Sequence, residues 1–236
     1  MEWRDEGMLL TVRRLGEGGA LLEAFTAAHG RHAGVAPGGG SRRMAPLLQP
    51  GAQLDLVWRA RLESHTGTYR AELIRSRAAA IMSDGRALAA MQAAAALLRW
   101  LPEREPHPAL YARTIEMADA LGADPDWPRR YAAWELALLA ELGFGLDLER
   151  CALTGAREDL AWISPRTGRA VTRAAGAPWA DRLLPLPPFF LGLPGGDAAE
   201  GLRVTGHFLG AHAAAAFGHK GLPPARARLA QIFAAG

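Results

Sequence analysis

The chain has 236 residues, of which 50% are hydrophobic, 7% aromatic and 22% charged, a make-up that excludes global disorder and suits two modest domains. Its one cysteine, Cys151, excludes an internal disulfide and a Cys-rich zinc site. The formal charge of +3 is unevenly spread: residues 1–80 hold 11 arginines against 8 acids, residues 81–200 hold 12 against 16, and the last 36 residues hold three arginines and Lys220 with no acid. Two basic ends around an acidic middle point to surfaces for anionic partners, although chance patchiness in an arginine-rich chain gives the same picture.

The opening MEWRDEG is charged and lacks the apolar core of a signal peptide. The longest apolar stretch, around Leu88–Leu98, is too short to span a bilayer. A soluble, cytoplasmic protein without membrane contact is expected.

The first eighty residues read as strands. Met8, Leu10 and Val12 alternate with Leu9, Thr11 and Arg13, and Ala20, Leu22 and Ala24 repeat the pattern. The clearest case is Leu54, Leu56, Trp58, Ala60 and Leu62, interleaved with Asp55, Val57, Arg59, Arg61 and Glu63. A period of two with one apolar face is what a half-buried antiparallel strand requires. Tyr69, Ala71 and Leu73 continue it after a turn at residues 65–67. Several short strands punctuated by Gly and Pro make a small barrel, and an OB-fold and an SH3-like barrel both suit about 75 residues.

Near residue 80 the period changes. Residues 85–101 are rich in Ala, Leu and Met and read as a helix stopped by Pro102. Residues 108–121 space Leu110, Ile115, Ala118 and Leu121 helically. Residues 128–142 form the strongest helix, with Pro128 in the first turn, Gly143 just past the end, and Tyr131, Trp134, Leu138 and Leu142 as a core stripe. A small hairpin fits residues 162–164 and 170–172 around the turn at 165–168. Residues 185–196 read as a connecting loop. Two closing helices follow, at 202–217 and 224–234, and no internal repeat is visible.

Catalytic patterns are absent. None of the seven histidines falls into a paired metal spacing with acidic neighbours. His207 and His212 are read as surface or satisfied helix residues, and His219 follows a loop. Ser41 and Ser164 lack a nucleophile-elbow context. Gly38-Gly39-Gly40-Ser41 has neither the lysine nor the helix of a phosphate loop and reads as a flexible loop. Glu103 with Glu105, and Asp124 with Asp126, lie beside prolines as ordinary turn carboxylates. No catalytic residue, metal ligand or cofactor is assigned, and the chain is expected not to be an enzyme.

Polynucleotide binding needs fixed cations at phosphate spacing and flat groups for stacking. Arg13 and Arg14 end the first strand, Arg31 and His32 follow the Gly30 turn, Arg42 and Arg43 sit in the glycine-rich loop, and Arg59 and Arg61 share one strand face. Each alone reads as a solvated surface residue; together, on loops and one face, they form a candidate DNA-binding set. Phe25, Trp58 and Tyr69 read as core, leaving Trp3 as the freer ring. Such a surface would read backbone charge, in a salt-sensitive and sequence-tolerant way.

Ordered runs along the chain carry a resemblance. Gly7-Met8-Leu9-Leu10, Arg14-Leu15-Gly16-Glu17, Phe25-Thr26 with His29-Gly30-Arg31, Ser41-Arg42-Arg43 and Leu48-Gln49-Pro50-Gly51 resemble the opening of the RecO recombination-mediator family. The helix from Trp134 to Phe144, leading to Cys151, resembles its C-terminal signature, and residues 222–228 resemble its final basic turn and helix. The runs agree in sequence order and cover essentially the whole chain.

The resemblance implies an α+β, multi-domain protein: an OB-fold β-barrel at residues 1–80, then an all-helical domain at 81–236 with a small irregular hairpin insert. It implies a DNA repair and recombination mediator that binds single- and double-stranded DNA and anneals complementary strands. It further implies contact with RecR and with the C-terminal tail of single-strand-binding protein, and indirectly with RecA, which the mediator helps to load. A bacterial, nucleoid-associated place in the cytoplasm goes with that role. Lys220, Arg226 and Arg228 are the candidate partner-binding residues.

Two departures stand out. Some relatives carry a four-cysteine zinc module that starts at the position of Cys151; here the second ligand position is Thr154, and the hairpin at 170–173 has no cysteine, so packing of Trp162 and Val171 would hold the module without metal. A family Lys-Ser-Arg triplet is replaced by Pro224-Ala225-Arg226. The alternative from another class is an OB-fold protein-docking adaptor without a direct DNA function.

Overall fold

The computed structural model describes residues 1–235. Five strands close into a barrel in the order β1-β2-β3-β5-β4, the OB-fold arrangement. They are β1 (Glu2–Leu15), β2 (Gly19–Thr26), β3 (Gly30–Ala36), β4 (Gln53–Arg59) and β5 (Thr68–Arg75). The long β1 makes closure possible, because its first half pairs with β4, from Glu2–Arg59 to Met8–Gln53, and its second half with β2, from Gly7–Thr26 to Leu15–Gly19.

A bulge between Leu9 and Thr11 marks the change of partner, where an extra residue bends the strand. Met8, Leu9 and Leu10 are therefore all buried, and the strict alternation expected from the sequence fails at this point. It holds on β4 and β5, where Leu54, Leu56, Trp58 and Tyr69 point inward and pack with Leu9, Ala20, Leu22, Ala24, Ala36 and Leu48. Each leucine among them contributes about 1.5–3 kcal/mol when fully buried. The row stops earlier than its pattern suggests: β4 ends at Arg59, and Leu62 lies 58% exposed in the following loop. That loop is tied down by Trp58 Nε1, which donates to the carbonyl of Thr66 at 2.8 Å.

On β3 the inward positions are His32, Gly34 and Ala36. Gly34 is small for a reason: a Cβ there would run into the Tyr69 ring. The barrel closes between β3 and β5 at one parallel pair, Val35–Thr68.

After β5 come α1 (Ala78–Ser83), α2 (Gly85–Leu98) and α3 (Pro108–Ala120). Asp84 caps α2 by accepting from the Arg86 N–H at 2.8 Å, and Pro108 starts α3, where a missing N–H costs nothing. The change from strand to helix falls between Arg75 and Ala78, whereas the chain divides into compact units at Met1–Pro125 and Asp126–Gly236; α1–α3 thus belong with the barrel. Arg77, which the sequence did not single out, is buried there. Its guanidinium donates to Asp119 on α3, to the Gly51 carbonyl at 2.9 Å and to Gln53 Oε1 at 3.0 Å.

The second unit is built on α4 (Trp127–Glu141), whose residues Tyr131, Trp134 and Leu138 are buried as the stripe requires. The helix stops before Gly143, at φ 86°. The hairpin is present as β6 (Leu160–Ile163) and β7 (Ala170–Thr172), joined by β8 (Leu184–Pro185) in the order β7-β6-β8. A short α5 (Arg173–Gly176) follows β7. The penultimate helix starts earlier than expected, as α6 (Ala198–Phe208) capped by Asp197, and passes through a π-helical turn at Leu209–Ala213 into α7 (Ala214–Ala216). The last helix, α8 (Pro224–Ala234), has the bounds expected of it.

Candidate nucleic-acid interface

The eight residues proposed for polynucleotide contact fall into different environments. Arg13 and Arg14 stand at the exposed end of β1, and Arg42 and Arg43 on the exposed loop between β3 and β4. Backbone and side-chain bonds tie these two places together: Gly40 N–H donates to Gly18 C=O at 3.2 Å, and Arg14 Nη2 donates to Gly40 C=O at 2.9 Å. Arg13, Arg42 and Arg43 have no ion pair among the described residues. The positive charge at this edge is therefore left uncompensated by ion pairs among the described residues.

Arg59 and Arg61 lie differently. Arg59 projects from the outer face of β4 and pairs with Glu2 at 2.8 Å. The contact raises its pKa further, through the hydrogen bond to Glu2 and then that residue's charge. The same face holds Arg4–Asp55 at 2.6 Å and Arg70–Glu72 at 2.7 Å, so much of its positive charge is already compensated. Asp55 is held below the usual carboxylate range, chiefly by its hydrogen bond from Arg4. Arg61 lies beyond the strand, exposed in the β4–β5 loop, and so does not share a sheet face with Arg59 as expected.

Arg31 and His32 are corrections to the surface reading. Arg31 is mostly covered; it pairs with Glu23, reaches Glu103 at 3.3 Å and donates through Nε to the Leu101 carbonyl at 3.1 Å. Its role is to fasten the segment after α2 onto the barrel. His32 is 3% exposed and points into the barrel. Burial lowers its pKa to about 4, against the opposing bond to the Ala33 carbonyl, so the ring is neutral at pH 7 and is no phosphate contact. Trp3, read as the freer ring, is half-buried and stacks on His29 at 4.1 Å between ring centroids.

In the second unit, Lys220 and Arg228 are exposed but Arg226 is not. It is completely buried, pairs with Glu135 on α4, and donates through Nη2 to Glu135 Oε2 at 2.8 Å and to the Leu202 carbonyl at 2.7 Å. Thr205 completes the group, donating to Glu135 Oε2 at 2.6 Å. Burial works against the Arg226 charge, but Glu135 outweighs it and keeps the guanidinium above its ordinary range. Arg226 thus joins α4, α6 and α8 and offers nothing to a partner. Its acid lies 91 residues away in sequence, so no local pattern announces the pair.

Cys151 is buried against Thr172, whose N–H donates to Sγ at 3.4 Å. Burial raises the thiol pKa, yet hydrogen bonds from Thr154, Thr172 and Leu153 prevail and bring it to about 6. Val171 is buried, and Trp162 packs on Gly176. Among the described residues no three His, Cys, Asp or Glu side chains are grouped to hold a metal. His207 and His212, brought together by the π-helical turn, both donate through Nε2 to the Pro165 carbonyl, at 3.0 and 3.1 Å.

Comparison with known proteins agrees with this architecture. The recombination protein O N-terminal family matches residues 1–77, and the recombination protein O C-terminal family matches residues 82–220. A DNA repair protein RecO of Jannaschia sp. is 57% identical over 232 residues, covering 97% of this chain and 95% of its own. The RecO proteins of Cereibacter sphaeroides and Roseobacter denitrificans are 56% and 54% identical, with 99% of this chain covered in both cases and 99% and 98% of their own. No helix among the described residues is long and apolar enough to cross a membrane. An OB barrel with an arginine edge, a helical second unit and full-length similarity on this scale have one reading: the chain belongs to the RecO family of DNA repair proteins.

Proposed function

We infer that the chain binds single- and double-stranded DNA through the arginine edge of its barrel and anneals complementary strands there. The supporting observation is the meeting of Arg13 and Arg14, at the end of β1, with Arg42 and Arg43 on the β3–β4 loop, tied together through Gly18, Gly40 and Arg14, with Arg61 as a further exposed cation. Guanidinium groups on such an edge neutralise phosphates of two strands, lower their mutual repulsion and let bases search for register. No bond is made or broken, so the role is non-catalytic.

The second unit acts in this reading as the tether. Lys220 and Arg228, without Arg226, offer charge to the acidic tail of single-strand-binding protein, and with RecR the chain helps RecA onto coated DNA. A nucleoid location follows from that work.

Titration of a labelled oligothymidine with the full-length chain over a salt series tests the DNA step. Log affinity falls with log salt by about 0.7 per phosphate contacted. Replacing Arg42 and Arg43 together by Glu weakens binding sharply while the far-UV spectrum is retained; unchanged affinity removes this edge from the mechanism. A fluorescence annealing assay with and without single-strand-binding protein tests the later steps.

A further inference from the structure

The seam that closes the barrel between β3 and β5 is short. After the Val35–Thr68 pair, β3 ends at Ala36 and Pro37, which has no N–H to donate, leads the chain away. Val35 N–H donates to Gly67 C=O at 3.0 Å, so the peptide group of Gly67 faces the seam. Strand alternation then turns those of Ala71 and Leu73 to the same side, while those of Arg70 and Glu72 face β4. No described backbone bond from β3 or the β3–β4 loop meets Ala71 or Leu73.

Between this free edge and the β3–β4 loop lies a groove of about 1020 Å3. Its floor is aliphatic: Met44, Ala71 and Leu73 are partly buried side chains packed on the barrel core, and Leu47 lines the same groove. In its charged lining Arg59 and Arg70 pair with Glu2 and Glu72, Arg4 pairs with Asp55, and Arg43 has no ion pair among the described residues.

We propose that this groove is a peptide-docking site, in which an extended segment of a partner protein adds as a strand beside β5, with apolar side chains at alternate positions on the floor and an acidic one toward Arg43. Unpaired peptide groups along an edge are the recognition element of strand addition, and alternate pockets supply its specificity. Arg43, the one arginine of this lining with no ion pair among the described residues, selects an acidic flank. A polynucleotide fits the groove less well, because bases need open ring faces; Trp3 is stacked on His29, and Tyr69 is only 2% exposed and lies against Gly34.

The site is distinct from the proposed DNA edge, sharing only Arg43 with it, and is tested separately. The probe is a fluorescein-labelled nonapeptide in which valines alternate with aspartates and serines, titrated into the full-length, 15N-labelled chain. Binding is expected, with slowed hydrogen exchange at the Ala71 and Leu73 amides and unchanged exchange at Arg70 and Glu72. An analogue N-methylated at alternate amides binds about tenfold more weakly, the equivalent of one or two backbone hydrogen bonds. The double variant Met44→Ser, Leu47→Ser loses the peptide while its far-UV spectrum and its oligothymidine affinity stay as in the parent. Absence of binding, equal affinity for the methylated analogue, or no protection at Ala71 and Leu73 overturns the proposal. So does oligothymidine that displaces the peptide and protects the same amides, which makes the groove a nucleic-acid channel.

Discussion

Arginine does opposite work at two places in this chain. On the barrel edge, Arg13, Arg42 and Arg43 face water with no ion pair among the described residues; in the helical unit, Arg226 is fully buried and locked to Glu135. Nothing in the immediate sequence separates these cases, since Arg226 sits in an acid-free, basic tail that resembles a surface more than the barrel does. What separates them is whether tertiary structure delivers a carboxylate. An arginine that meets one inside the protein becomes a joint between helices. One that meets none stays outside and is free for a polyanion.

The largest expected effect breaks the inward case. Arg226→Met leaves Glu135 buried without its cation, and the unfolding free energy should fall by about 3–5 kcal/mol, measured by urea denaturation of the full chain. Adding Glu135→Leu should recover much of the loss, because a well-packed apolar pair often replaces a buried ion pair at little cost. If the single variant is as stable as the parent, Arg226 is not the joint described.

His32 sharpens the comparison as a third case, buried without an acid, so that it gives up its proton instead of pairing. With a folded pKa of about 4 against about 6.5 in the unfolded chain, the unfolded state binds the extra proton between these values. Stability is therefore full above pH 6.5 and falls as the pH drops toward 4, by about 3 kcal/mol at the lower end. The variant His32→Gln should lack this part of the acid destabilisation in thermal melts across that window. A parallel pH profile for both proteins means that His32 already shares solvent.

These cases show how far the sequence could be read. The alternation on β4 was legible because one face of that strand meets the core and the other meets water, and a period of two records it. The stripe on α4 was legible for the same reason at helical spacing. β1 was only half legible, since its bulge lets consecutive residues Met8, Leu9 and Leu10 all be buried. On β3 the inward residues are His32, Gly34 and Ala36, chosen to fit around Tyr69 and Trp58 rather than for hydrophobicity, so no pattern marked the strand. At the site, the loop pair Arg42 and Arg43 could be anticipated from glycine-rich context. The diversion of Arg31 to Glu23 and of Arg226 to Glu135 could not, because ion pairs depend on positions that only the folded chain brings together.

On the outward side, Arg42→Ala with Arg43→Ala should weaken oligothymidine binding on the order of tenfold at 0.1 M salt and reduce the log–log salt slope by about 1.4, two contacts at 0.7 each. A lower affinity with an unchanged slope would mean that the loop was disturbed rather than its charge removed.

The smallest effect belongs to Arg59, and it tests whether exposure alone qualifies an arginine for DNA. Its side chain is 68% exposed, more than enough for contact, but it is held by Glu2 at 2.8 Å. A phosphate that approaches must compete with that carboxylate, and the local field it meets is that of a pair rather than a cation. Arg59→Ala removes a charge and leaves Glu2 behind, so any loss is a mixture of missing attraction and new repulsion; Glu2→Gln with Arg59→Ala removes both. The double variant should bind oligothymidine within about twofold of the parent, as expected for an exposed pair that was largely self-compensated. A loss as large as that of the loop variant would show that DNA displaces Glu2 and recruits Arg59, which would extend the interface from the loop edge across the outer face of β4.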